Sequence, residues 1–387
     1  RIAQHTLKII GVSPDRLVLG FMLATSLLSM WISNTATAMM MLPIALSVIS
    51  EVDQLRSAGE GSSDAGGEIK SNFAICLMLG IAYAASFGGV ATLIGTPPNA
   101  ILAGMVEQIY GLTITFAGWL AFGLPLSITM FIITWYYLTR IAYPLNQKAA
   151  PGIGQVISTE LARLGPISRQ ERWVMAVFLL VSGAWILRGL INVPALSLVS
   201  DASIAMAGAL LLFVIPSDMT KREFLLDWKT AASIPWDIII LFGGGFALAQ
   251  GFIDSGLSLW IADQMATLEG TSMITMIGVV TLIVIFLTEI TSNTATATIM
   301  IPVLGALSIA MGLHPYSLMV PAAVAASFAF MLPVATPPNA IIFSSRTVTI
   351  PQMAKAGFWL NIIAVVLISL FVLLLLPLLW GIDLAVI

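Results

Sequence analysis

Two segments of this chain carry nearly the same string. Residues 33–43 read SNTATAMMMLP and residues 292–302 read SNTATATIMIP. A second string, TPPNAI, occurs at 96–101 and again at 336–341. Ser, Asn and Thr side chains accept hydrogen bonds from the free N–H groups that open a helix. Proline suits the first turn of a helix, where its missing N–H has no partner to lose. Each string therefore reads as the point where one helical segment stops and another begins. A helix start carries about half a positive charge and holds an anion without any basic side chain. Four such starts are available, at Ser33-Asn34-Thr35, Thr96-Pro97, Ser292-Asn293-Thr294 and Thr336-Pro337, and none of the strings contains Lys, Arg or His.

The surroundings of these strings are those of a membrane protein. Of 387 residues, 59% are hydrophobic and 9% are charged, against about 25% charged in an average soluble domain; mean hydropathy is +1.01. Apolar runs at 72–110, 113–143, 173–190, 233–253 and 358–380 approach or exceed the about 20 residues that cross a bilayer core as a helix. A β-barrel would show alternating segments of roughly ten residues, and the sequence has none. The net charge of −3 says nothing about nucleic acid, and with no basic cluster in the chain none is expected as a partner. No signal peptide is visible at residue 1.

Inside a bilayer, irregular backbone is tolerated only where protein buries it or a cavity meets it. Unwound carbonyls, helix C-termini and the oxygens of Ser, Thr and Asn then suit Na⁺. Ser29 precedes Ser33 by four residues, and Thr288 precedes Ser292 by four. At one helical turn apart, each pair can aim its oxygens at a common ion. Gly95 and Ala335, just ahead of the Thr-Pro-Pro runs, leave carbonyls accessible. A lone Ser or Thr in a membrane helix usually bonds or packs between helices; the doubling at two expected chain breaks makes these residues site candidates. Ala36, Thr37, Ala295 and Thr296 read as small residues for close packing. Catalysis has little to work with, because His5 and His314 lie far apart and Cys76 is single. No disulfide framework or nucleophile–base set results, which disfavours an intramembrane enzyme.

The strings recur in the same order. The offset is 259 for SNTATA and 240 for TPPNAI, with a weaker pair AGW at 117–119 and AGF at 356–358. The change of offset is covered by EVDQLRSAGEGSSDAGGEIK at 51–70, which reads as an inserted loop. The chain is thus read as duplicated, with corresponding interrupted segments that point to a transporter site. A first repeat over 1–143 holds a re-entrant hairpin at 17–50, a broken helix at 72–110 and a helix at 113–143. A cytoplasmic linker follows at 144–172. A second repeat over 173–387 holds helices at 173–190, 196–215 and 233–253, a hairpin at 273–311, a broken helix at 317–345 and a helix at 357–380. Five spans between the hairpins make the second enter from the opposite face. The expected fold is therefore an all-α polytopic membrane protein, an inverted repeat with two re-entrant helical hairpins and two Pro-interrupted transmembrane helices. That topology puts 15 of the 16 basic residues on one face, with Arg188 alone on the other. Lys and Arg concentrate in cytoplasmic loops, so the C-terminus is expected to be extracytoplasmic.

Three features stand outside the repeat. Glu289 has Met30 as its counterpart, and an ionisable residue at membrane depth is either functional or paired with the hairpin backbone. Gly243–Gly245 allow a helix break or, preferably, a close helix crossing. The stretch after Asp254, GLSLWIADQM, reads as an amphipathic helix on the outer interface.

With both strings doubled, almost the whole chain resembles the divalent anion/sodium symporter family of INDY-type carboxylate transporters. The resemblance implies a homodimer in the cell (inner) membrane, with a transport domain moving elevator-fashion against a scaffold. It implies Na⁺ as the coupling ion and small dianionic carboxylates (succinate, malate, fumarate, with citrate a further candidate) as substrates; sulfate transport or Na⁺-independent carboxylate exchange on the same scaffold is the alternative. A channel is disfavoured by two discrete hairpins. Substrate contacts carry over to Ser33, Asn34, Thr35, Thr96, Pro97, Ser292, Asn293, Thr294, Thr336 and Pro337. The first sodium site carries over to Ser29, Ser33, Asn34 and Gly95, and the second to Thr288, Thr291, Asn293 and Ala335. Family members have further helices before the point matching Arg1, so the chain is expected to be a piece of a longer protein. Residues 143–171 leave no room for the large soluble insertion of some sulfate-transporting relatives, which favours carboxylates.

Overall fold

The computed structural model describes residues 13–59, 72–145, 165–190, 199–218, 223–257, 260 and 272–385. In the first half, α1 spans Pro14–Ser29, α2 Asn34–Gly59, α3 Asn72–Val90, α4 Pro97–Tyr110 and α5 Phe116–Tyr136, which continues as a π-helical turn over Tyr137–Ala142. Next come α6 (Arg169–Leu190), α7 (Asp201–Val214), a small antiparallel pair β1 (Pro216–Asp218) and β2 (Glu223–Phe224), α8 (Trp228–Ala231) and α9 (Trp236–Asp254). The last part holds α10 (Met273–Ile290), α11 (Asn293–Ala310), α12 (Tyr316–Ser327), α13 (Pro337–Ser344) and α14 (Ile350–Trp380). Among the described residues, seven helices are long and apolar enough to cross a membrane. The protein is an all-α polytopic membrane protein.

Two boundaries differ from the sequence reading. Helix α2 runs on to Gly59, through part of the stretch expected as a loop. Glu51 to Ala58 contains no Gly or Pro, and Glu, Gln, Leu, Arg and Ala all favour a helix, so the chain leaves the bilayer without unwinding. Helix α6 begins at Arg169, inside the expected linker. The reason is a capping box: Ser168 Oγ accepts from Glu171 N–H at 3.1 Å, and Glu171 Oε2 accepts from Ser168 N–H at 2.7 Å. The rest of the 51–70 loop, most of the 144–172 linker, most of the amphipathic segment at 256–265, and His5 lie outside the described residues.

The core is built on α3 and α12. Residues 73–90 of α3 and every residue of α12 are buried, as suits helices apolar on all faces. Helix α1 packs along α3, and α10 and α11 pack on α12. The halves then interlock. Helix α13 packs on α2 and α3, while α4 packs on α11 and α12, so each Thr-Pro-Pro half-helix lies against the other half. Helix α14 lies against α10, α12 and α5.

The middle helices attach at the flanks. Helix α6 packs chiefly on α5 and α7, and α9 chiefly on α11. At the α5–α7 junction, the Asp201 carboxylate accepts from Phe116 N–H at 2.9 Å and from Arg188 Nη1 at 2.7 Å. The ring of Trp31, between α1 and α2, meets Phe178 of α6 edge-on at 4.8 Å. Helix α9 runs unbroken through Gly243–Gly245. At Gly245 a Cβ would come 2.1 Å from Thr298 Cγ2, so this glycine serves a close crossing, whereas a Cβ at Gly243 or Gly244 would meet open space.

One glycine fixes the break after α12. A Cβ at Gly357 of α14 would lie 2.1 Å from Phe330 O and 2.6 Å from Met331 N. Backbone cannot yield as a side chain can. Gly357→Ala is therefore expected to destabilise the protein by more than the about 1–3 kcal/mol of an ordinary overpacked core. The check is thermal unfolding of the purified protein in detergent; an unchanged midpoint would show that α14 does not press on this break.

Candidate functional site

The two SNT strings open helices, and their serines cap them. Ser33 Oγ accepts from Ala36 N–H at 3.2 Å, and Ser292 Oγ accepts from Ala295 N–H at 3.1 Å. Both serines are exposed, whereas Asn34, Thr35, Asn293 and Thr294 are half-buried. The hydroxyls of Thr35 and Thr294 engage no side-chain or backbone partner among the described residues.

The residues one turn earlier do not pair with these serines. Helix α1 ends at Ser29 and α10 at Ile290, so helical spacing no longer holds across the break. The asparagines take the place expected of the serines. Ser29 Oγ lies 2.5 Å from Asn34 Oδ1 and 2.7 Å from Ala85 O. Thr288 Oγ1 lies 2.8 Å from Asn293 Oδ1 and 3.2 Å from Ala326 O. A hydroxyl has one proton to donate. At each break, then, three oxygens stand together with one proton among them. A cation resolves that crowding where a second proton is lacking.

The Thr-Pro-Pro runs adjoin these oxygens. A Cβ on Gly89 would lie 2.6 Å from Asn34 Oδ1 and 3.0 Å from Gly95 O, so the Gly95 carbonyl faces the first cluster across a gap only glycine leaves open. Ala335 stands in the corresponding place of the second half and is buried. Thr336 Oγ1 caps α13 by accepting from Asn339 N–H at 3.3 Å. Thr96 makes no such cap; its hydroxyl instead lies 3.5 Å from Ser327 Oγ of α12, bridging the halves. Pro97 and Pro337 occupy the first helical position of α4 and α13. Thr291 is drawn away from the second cluster: its hydroxyl donates to Leu287 O at 2.9 Å or shares a proton with Thr296 Oγ1 at 2.5 Å.

Several residues that hold the breaks were not singled out from the sequence. Asn99 Nδ2 donates to Val90 O and Thr92 O at 3.3 and 2.8 Å, and Asn339 Nδ2 to Ala329 O and Leu332 O, both at 3.0 Å. Their position inside both TPPNAI strings was the available signal. Thr92 Oγ1 donates to Met30 O at 2.5 Å, and Tyr83 Oη to Phe330 O at 2.8 Å. Glu289 is paired with backbone, but with the break after α12 and not with its own hairpin. One carboxylate oxygen accepts from Phe330 N–H at 2.7 Å, Met331 N–H at 2.9 Å and Asn361 Nδ2 at 2.7 Å; the other accepts from Leu332 N–H at 3.0 Å.

No group of three or more His, Cys, Asp or Glu able to hold a metal ion occurs among the described residues. The donors at the breaks are neutral, hard oxygens, which fit an alkali cation.

The profile of the family described as "Sodium:sulfate symporter transmembrane region" matches residues 1–387. The sodium-dependent dicarboxylate transporters SdcS of Staphylococcus saprophyticus and Staphylococcus aureus are each 44% identical to this chain over 386 residues, covering 99% of it and 73% of their own length. A crystal structure of the YdaH transporter of Alcanivorax borkumensis superposes with a TM-score of 0.59 over 98% of this chain and 82% of that one, at 16% identity. That likeness is one of fold.

The Glu289 clamp generates a stability prediction. In Glu289→Gln, an amide N–H would oppose a backbone N–H that the carboxylate now accepts. The expected cost is about 1–3 kcal/mol, read as a lower unfolding temperature in detergent. Full stability in the variant would mean that the carboxylate does not hold the break.

Proposed function

This chain belongs to the sodium:sulfate symporter transmembrane family, a family of transporters rather than enzymes, and on that premise we propose that it carries C4-dicarboxylates across the cell membrane by coupling them to Na⁺. The observation that carries the proposal is the pair of proton-poor oxygen clusters, Ser29–Asn34–Ala85 and Thr288–Asn293–Ala326. Each is read as one Na⁺ position, with the carbonyl of Gly95 or Ala335 beside it. The names of the staphylococcal relatives, sodium-dependent dicarboxylate transporters, support the ion and the substrate class.

The asparagines link ion to anion. Their Oδ1 atoms face the clusters, and neither Nδ2 has a protein acceptor among the described residues. Each Nδ2 is then free to donate to a carboxylate held at the helix starts, with Thr35, Thr294, Thr96 and Thr336 around it. Ion binding orients the amide, and the oriented amide receives the anion. The flank attachment of α6, α7 and α9 supports an elevator, in which the interlocked core moves against these helices. The inverted repeat, the re-entrant hairpins, a homodimer formed through the exposed middle helices and an extracytoplasmic C-terminus belong to the same proposal.

The test is uptake of labelled succinate into proteoliposomes, with Na⁺ or choline outside. Wild type should require Na⁺, with more than one ion per succinate. Asn34→Ala and Asn293→Ala should each reduce uptake about 100-fold or more, since each loses an ion ligand and a charge-assisted hydrogen bond of about 1.5–3 kcal/mol, while unfolding temperature changes little. Uptake undiminished in choline would favour the exchanger, and competition by sulfate alone would favour a sulfate carrier.

The absence of a basic side chain at the four strings supports a dianionic cargo. The positive potential of the site comes from four helix starts of about half a charge each and from bound Na⁺, which suits a dianion better than a trianion, since an unpaired charge is costly to bury. Succinate uptake should fall as pH drops towards 5, where carboxyl groups with pKa values of about 4 begin to protonate. Citrate uptake should rise over the same range as its dianion forms. Initial rates against pH at saturating Na⁺ decide this; citrate uptake that tracks the trianion would require a cation from outside the strings.

A further inference from the structure

Away from the breaks, a cavity of about 560 Å³ opens between the π-helical end of α5 and the first turns of α14. Its volume is that of a small-molecule site, about 300–1,000 Å³. Its level in the membrane follows from its walls, the last turn of one span and the first turns of another, where a bilayer changes from hydrocarbon to headgroups. Tyr and Trp are favoured there, and Tyr137, Tyr143 and Trp359 line it.

The lining is graded. Gln352 and Lys355 contribute polar groups from the start of α14. Ala356, Trp359 and Ile363 follow on the same helix face at the spacing of successive turns, and Ile363 lies about 12 Å further along the axis than Lys355 at 1.5 Å per residue. The apolar end is open sideways, with Ile141 62% and Trp359 55% exposed. The polar end has unused groups. Arg140 pairs with Asp15 at 3.4 Å and Tyr143 Oη donates to Gln352 O at 2.9 Å, but Lys355 has no ion-pair partner and the Tyr137 hydroxyl no hydrogen bond among the described residues. The π-helical turn is the cause of the gap: Tyr143 N–H reaches back to Leu138 O, and such wide turns are frequent at functional sites.

We propose that this groove binds one anionic glycerophospholipid, its phosphate at Lys355 and Tyr137 and one acyl chain along Ala356, Trp359 and Ile363. A free phosphate would satisfy the lysine but leave the apolar stripe bare. A zwitterionic lipid would fill the stripe and bring a choline to the lysine. The anionic diacyl lipid alone matches both ends. The inference is independent of what the protein transports.

The test uses the full chain, purified and delipidated in detergent. Phosphatidylglycerol should raise its unfolding temperature by about 3 °C or more, with a smaller rise from phosphatidylcholine and none from inorganic phosphate. Lys355→Ala, at an exposed position, should fold normally and lose at least half of the phosphatidylglycerol effect. Native mass spectrometry should find one phosphatidylglycerol retained per wild-type chain and none per variant chain. Equal effects of the two lipids on wild type, an undiminished phosphatidylglycerol effect in Lys355→Ala, or an equal rise from inorganic phosphate would each overturn the assignment.

Discussion

A helix that stops inside a bilayer leaves N–H and C=O groups that hydrocarbon cannot satisfy, and this chain stops helices at four places within its apolar core. Everything around those places supplies the missing partners. Asn99 and Asn339 each hold two carbonyls of the break ahead of them. Thr92 holds the last turn of α1 by Met30 O. Tyr83 reaches from α3 to Phe330 O, across the halves. The full burial of α3 and α12 follows from the same need, since a break left at the lipid surface could not be closed by side chains alone. Gly88, Gly95 and Gly357 let backbones approach at distances no Cβ allows, so that those partners are within reach.

The two halves meet this need differently. The first closes its break with a threonine hydroxyl and glycine contacts. The second uses Glu289, whose carboxylate accepts three consecutive N–H groups and an asparagine amide. Thr296 finds Thr291, whereas its counterpart Thr37 has a buried hydroxyl with no partner among the described residues, because Ile32 stands where the second half has Thr291. The oxygen cluster is correspondingly tighter in the first half, 2.5 and 2.7 Å against 2.8 and 3.2 Å. If the clusters hold cations as proposed, their different spacings would give them unequal affinities.

The membrane class and the interrupted segments were legible because composition and small polar strings report them directly. The strings also marked the helix starts that the serines and Thr336 cap. Pairing was less legible. A four-residue spacing predicts contact only while the helix lasts, so Ser29 was matched to Ser33 when its partner across the break is Asn34. The Ala85 and Ala326 carbonyls left no trace in the sequence, since any residue has a carbonyl and only the tertiary fold brings it near. Backbone pairing was one of two readings open for Glu289, but its partners were not legible, because they are backbone N–H groups 41 to 43 residues away. The continuation of α2 to Gly59 was hidden because charge, not helix propensity, dominated the reading of that stretch.

The same arrangement bears on how a site could be carried through a low-dielectric layer. The strings hold no ionised side chain, and the buried Glu289 carboxyl group beside them is engaged by four hydrogen bonds. Without cargo, the proposed site therefore exposes only dipoles and neutral oxygens to the barrier. A dianion without cations would leave the clusters' oxygens crowded and the asparagine amides free to turn away. Cations without the anion would add charge beside helix starts that already carry positive potential. On the proposed reading only the fully loaded form compensates both the proton-poor oxygens and the helix ends, so cation and anion would each favour the binding of the other.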